Sequence, residues 1–99
     1  MIYYYDRQGH SISLTEAQDL TMDKDYKRIG YNELAGLKVS TVWIGLDYSI
    51  NNSHMIFETM VFPLNSYDEL YFERYATEQE AMAGHIKAMY LVGTGKIKK

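Results

Sequence analysis

Three histidines, two glutamates on neighbouring strand-like segments and a single tryptophan are the side chains through which this sequence would do chemistry. A hydrolytic triad needs a hydroxyl nucleophile and a base that the fold brings together. Serines and threonines are abundant, but His10, His54 and His85 are the only imidazoles, and none stands beside a nucleophile elbow. No phosphate-binding glycine loop, dinucleotide loop or His-Glu-x-x-His zinc motif occurs. Glu58 and Glu73 fall on segments expected to be neighbouring strands, an arrangement open to paired acid/base work. The alternative is that Glu58 meets Arg74 or Lys38 across the sheet as an ion pair. His85 lies beside the apolar face of the last helical segment, between Met82 and Met89, and no second histidine is spaced to share a metal with it. A partly buried, hydrogen-bonded histidine is the expectation, with no catalytic residue, cofactor or metal.

Trp43 belongs to Thr-Val-Trp-Ile-Gly-Leu-Asp (41–47), the clearest strand signal in the chain. Strand alternation separates Val42, Ile44 and Leu46 from Thr41, Trp43, Gly45 and Asp47. The aliphatic set reads as the core face. The other face then makes Thr41, Trp43, Asp47, the following Tyr48 and, on the next strand, Glu58 a candidate binding surface, provided nothing covers it. If the segment from Leu14 or the first strand lies over that face, Trp43 is core.

These residues require a sheet to hold them. Ile2 to Tyr5 reads as a strand ending in a turn at Gly9-His10, and Ser13 with Glu16 has capping-box spacing for a short helix from Leu14. Tyr26 to Tyr31 reads as an irregular edge strand, with a turn at Gly36. After the polar stretch Asp47 to Ser53, Met55 to Phe62 resumes a strand in which Ile56, Glu58, Met60 and Phe62 share one face, and Leu70 to Tyr75 follows Pro63. Thr77 and Glu80 repeat the cap spacing before a stripe of Ala81, Met82, His85, Ile86, Ala88, Met89 and Val92, long enough to lid one face of a sheet. The predicted fold is therefore α+β: an antiparallel meander of three to five strands, a short N-terminal helix and a longer C-terminal helix packed on the sheet. Residues 1–93 form one domain, and 94–99, with Lys96, Lys98 and Lys99, form a basic tail expected to fray.

Composition narrows the partners. At 99 residues with 46% hydrophobic content the chain suits one modest core. With no cysteine it has no disulfide or thiolate site, which is compatible with a reducing cytosol. Asp6 and Arg7 interrupt the apolar start before any signal or membrane-length run, so a cytoplasmic protein without membrane attachment is expected. A net charge of −3 opposes general nucleic-acid binding, which needs a basic footprint. Ten tyrosines, ringed and polar-tipped, suit half-buried sheet faces and interfaces alike, and a thin aromatic sheet is compatible with a homodimer.

The blocks Val39-Ser-Thr-Val-Trp-Ile-Gly-Leu-Asp47, Ile56-Phe-Glu-Thr-Met-Val-Phe62 and Glu73-Arg-Tyr-Ala-Thr-Glu-Gln-Glu-Ala-Met-Ala-Gly-His85 resemble a family of small bacteriophage and prophage proteins. The family pattern supplies no catalytic residues. It often has a glycine-rich loop and a histidine after the Gly-Leu-Asp, where this chain has Tyr48 and Asn51-Asn52. The resemblance implies a phage accessory protein that binds and inhibits a host defence protein, CRISPR-associated nucleases being among the candidates. The alternative from another class is a module that binds or sequesters a small nucleotide ligand, stacking a base on Trp43. Against it, Arg7, Arg28 and Arg74 are the only arginines, and no phosphate nest is present. A minor virion or regulatory component is a third reading.

Overall fold

The computed structural model describes residues 3–46 and 54–99. A two-stranded antiparallel ribbon, β1 (Tyr4–Tyr5) and β2 (Ser11–Ile12), leads into helix α1 (Leu14–Thr21) and a single turn, α2 (Lys24–Lys27). Then come β3 (Arg28–Leu34), β4 (Leu37–Trp43), β5 (Phe57–Pro63), β6 (Tyr71–Tyr75) and helix α3 (Glu78–Gly93). The last four strands form one antiparallel sheet in sequence order, with α3 packed against it, so the α+β meander is the fold.

Local chemistry sets the boundaries. Ser13 and Glu16 form the reciprocal capping box that opens α1. Asp23 accepts from the Tyr26 amide and nucleates α2, an extra turn where the sequence pattern had dissolved. The β3–β4 hairpin closes on Ala35 and Gly36 at φ 53° and 76°, the two left-handed residues of a tight turn that suits sheet twist. Between Arg28 and Gly30 the register slips by one, and Ile29 is the bulged residue of the edge strand.

On α3 the buried face is Ala81, Gly84, His85, Ala88 and Val92, a narrower stripe than the sequence implied. Met82 and Ile86, read as part of that stripe, project into solvent with Tyr90. The helix turns its small residues, Gly84 and Ala88, to the sheet, which permits a close approach and leaves Met82 and Ile86 on the other side. The helix ends on Gly95 at φ 76°, whose amide donates to Val92 while Lys96 donates to Leu91, a paired C-terminal closure. That closure turns Ile97 back into the core with Leu37, Val61 and Val92, so the tail expected to fray is anchored through Ile97.

The two faces of β4 are reversed from the sequence reading. Leu37, Val39, Thr41 and Trp43 are buried, while Val42, Ile44 and Leu46 are half-buried. β4 stops at Trp43, because Gly45 takes φ 71° and leaves the ladder, so Ile44 and Leu46 do not continue its alternation. Trp43 is wholly buried: its indole N–H donates to the Tyr5 carbonyl at 2.9 Å, and Tyr26 meets its ring edge-on at 5.0 Å. The N-terminal ribbon thus closes one end of the core, and Arg7 ties it to α3 through Glu78 at 2.6 Å.

Candidate functional site

Two arrangements combine polar or aromatic groups in a way that bears on function. The first is a hydrogen-bonded chain on the helix side of the sheet, buried from Tyr75 to His85 and reaching the surface at Asn32. His85 Nε2 lies 2.8 Å from Asn32 Oδ1 and Nδ1 lies 2.7 Å from Thr41 Oγ1; Thr41 lies 2.6 Å from Thr59 Oγ1, which accepts from the Tyr75 hydroxyl at 3.2 Å. Asn32, Thr41, Thr59 and Tyr75 come one from each strand, so α3 is pinned through His85 to the whole width of the sheet. One set of proton directions satisfies every member: Tyr75 donates to Thr59, Thr59 to Thr41, Thr41 to Nδ1, and Nε2–H to Asn32. That set needs a neutral imidazole, and burial pushes the His85 pKa below its ordinary range.

Thr41, His85 and Asn32 have the order of nucleophile, base and orienting group. Thr41 is nevertheless fully buried, with its hydroxyl occupied by Thr59, and no reacting carbonyl has access to it. The chain fixes the helix on the sheet, and its polar groups are paired rather than poised.

The second arrangement is the opposite face of the sheet, across which no described helix lies. The strand register sorts its side chains into three rows. Arg28, Val42, Glu58 and Arg74 stand abreast; Tyr31, Ser40, Met60 and Phe72 form the middle row; Glu33, Lys38 and Phe62 form the third. The middle row is uncharged, with an exposed ring at each end and small or flexible side chains between. Tyr31 and Phe72 are 38% and 44% exposed, enough to present ring surface to a partner. Cations hold these rings in place: Arg28 over Tyr31, Arg74 over Phe72, and Lys38 over Phe62 and over Tyr67, which packs edge-on against Phe62. Tyr31 also donates to Glu33 at 2.6 Å, which raises its phenol pKa.

The predicted surface residues are thereby dispersed. Thr41 and Trp43 are core, and Asp47 and Tyr48 lie outside the described residues. Glu58 alone is found on the face opposite α3, where it pairs with Arg74 at 3.4 Å, the cross-strand ion pair anticipated for it. Glu73 points to the helix side, accepting from Tyr71 at 2.5 Å, so the two carboxylates stand on opposite faces and form no acid/base pair. Sequence reasoning missed Tyr31, Met60 and Phe72. Lys38 and Glu58 carried the signal, since a charge on each central strand marks the solvent face.

A recess of about 90 Å³ between α1 and the end of β4 is lined by Tyr4, Leu14, Ala17, Trp43 and Leu46, and among the described residues its lining is apolar and uncharged. Among the described residues no three histidine, aspartate or glutamate side chains gather as a metal site, and no helix is long and apolar enough to cross a membrane. No protein-family model, curated protein or solved structure matches the chain.

Proposed function

We propose that this is a non-enzymatic binding protein whose recognition surface is the face of the sheet opposite α3. The observation that carries the reading is the middle row, Tyr31-Ser40-Met60-Phe72, between two rows bearing charge. Aromatic rings, methionine and arginine are the residue types enriched at protein interfaces, and an uncharged centre with a charged border is their usual plan. Buried Trp43 is not available to stack a base, which removes the platform on which nucleotide sequestration would rest. The partner class implied by the resemblance to phage proteins is a host protein of bacterial defence, engaged in the cytoplasm.

The test is capture from a host lysate by wild type, by Met60→Asp, which places a charge in the middle row, and by Lys96→Glu, which leaves that face unchanged. The expected result is one specific defence partner, captured by wild type and Lys96→Glu but lost in Met60→Asp, together with protection of phage during infection. Absence of a specific partner and of protection overturns the proposal.

A further inference from the structure

We infer that in the free protein this same face is occupied by a second copy of the chain, in a two-fold sheet-on-sheet dimer that must open before another partner can bind. The inference rests on the reading of the face as a recognition surface and names what regulates it.

The argument is one of self-complementarity. Stacked sheets pack about 10 Å apart with their strands close to aligned. A two-fold axis lying in such an interface has two simple directions. Along the strands, it sets β3 against the partner's β6 and keeps each row facing itself, so that Arg28 meets the partner's Arg74 and Val42 meets the partner's Glu58. Across the strands, along the middle row, it keeps each strand over its own copy and exchanges the outer rows. Arg28 then faces the partner's Glu33, Glu33 faces the partner's Arg28, and Lys38 comes beside the partner's Glu58. The four middle residues each meet their own copies, bringing the partner's Met60 against Met60 and the partner's Phe72 against Phe72. The first arrangement sets no acid directly opposite Arg28 and no base directly opposite Glu33, whereas the second sets these two opposite each other twice, so the row-parallel axis is selected.

Arg28 and Glu33 are exposed, and among the described residues neither takes part in a salt bridge. Arg28 rests on Tyr31, and Glu33 accepts from the hydroxyl of the same residue, so Tyr31 holds both charges at opposite ends of one edge strand. This places an acid and a base where the two-fold needs them.

Area sets the strength. Four strands about 4.8 Å apart, with residues rising about 3.3 Å along each, make a face on the order of 20 by 20 Å. That is smaller than the roughly 800 Å² per partner of a stable interface of standard size. The dimer is therefore weak and concentration-dependent, able to yield the face to a tighter partner.

The experiment is sedimentation equilibrium on the full chain across a wide concentration range, with Arg28→Glu and Glu33→Arg variants alone and mixed. Wild type should self-associate, and each single variant should do so at least about tenfold more weakly, because like charges now oppose each other twice. An equimolar mixture of the two variants should recover association to within about threefold of wild type, since each acidic copy then faces a basic one. Recovery on mixing also demonstrates that both variants are folded. Ile86→Glu, on the exposed outer side of α3, should leave association unchanged. A monomer at every concentration overturns the inference, as do charge variants that dimerise like wild type, a mixture that fails to recover, or a dimer abolished by Ile86→Glu. If the wild type is monomeric while Met60→Asp still abolishes partner capture, the recognition surface stands and only its self-occlusion is refuted.

Discussion

The phenol end of Tyr75 lies against the backbone of Gly84, so that a Cβ added at Gly84 would stand 2.1 Å from both the phenol oxygen and the carbon that bears it. Alanine would ordinarily favour a helix interior by up to about 1 kcal/mol over glycine. Here it would displace a ring that is buried and hydrogen-bonded to Thr59. Overpacking of this kind costs about 1–3 kcal/mol and outweighs the propensity gain. Gly84→Ala should lower the urea midpoint, whereas Ala83→Gly, on the exposed side of α3, should cost only the propensity difference. A stabilised Gly84→Ala would refute the close approach of helix and sheet.

Stability should also depend on pH through His85. Burial lowers its folded-state pKa, whereas the unfolded chain titrates near the ordinary histidine value of about 6.5. The unfolded state therefore takes up the proton first. Stability is fully present above that value and is lost as pH falls below it, with a slope of no more than about 1.4 kcal/mol per pH unit for one proton. Urea denaturation from pH 7.5 to 5 should show this loss in wild type, and His85→Gln should flatten it. Equal slopes in the two proteins would mean that the imidazole is not desolvated.

Thr41 and Thr59 should be energetically coupled. Thr41→Val leaves His85 Nδ1 without its donor and the Thr59 O–H without its acceptor, and an unmet buried group costs about 1–3 kcal/mol. Thr59→Val removes the acceptor of the Tyr75 O–H and the donor to Thr41, which keeps its bond to His85. The double variant removes both ends of the shared bond, so it should cost less than the two single losses combined, by on the order of 1 kcal/mol. A double-mutant cycle in urea measures that difference, and strict additivity would contradict a continuous chain.

Which of these relationships the sequence disclosed follows from whether their cause was local. Ser13 with Glu16 and Thr77 with Glu80 act within one helical turn, and both caps are present. The meander follows from short polar links between β-rich segments, and His85 was recognisable as a buried histidine. The side of β4 that faces the core depends on what lies across from it. Val42, Ile44 and Leu46 pointed one way, while Leu37 and Val39, with Lys38 and Ser40 between them, pointed the other. Gly45 settles the matter by ending the alternation, since its φ of 71° brings it against the Trp43 ring, a contact with no signature in spacing. The bulge at Ile29 likewise puts Arg28 and Tyr31 on one face, which strict alternation would have divided.

Ile97 offers the sharpest division between the local and the tertiary reading of the chain. By composition it sits among lysines after two glycines, the description of a frayed end; by structure it is 9% exposed and packed with Leu37, Val61 and Val92. Its position depends on the Gly95 turn, which redirects the chain so that the amides of Lys96 and Ile97 both reach the Leu91 carbonyl. Truncating a buried isoleucine costs about 2–5 kcal/mol, and a site so close to the chain end relaxes more readily, which favours the lower figure. Ile97→Ala should therefore destabilise by about 2 kcal/mol, and Lys98→Ala, whose side chain is exposed, by a few tenths at most. Gly95→Ala should fall between them, because it strains a left-handed residue while leaving the buried side chain intact. Thermal or urea unfolding of the three variants orders them directly. An Ile97→Ala protein as stable as wild type would return the tail to solvent and remove the anchor that closes this end of the core.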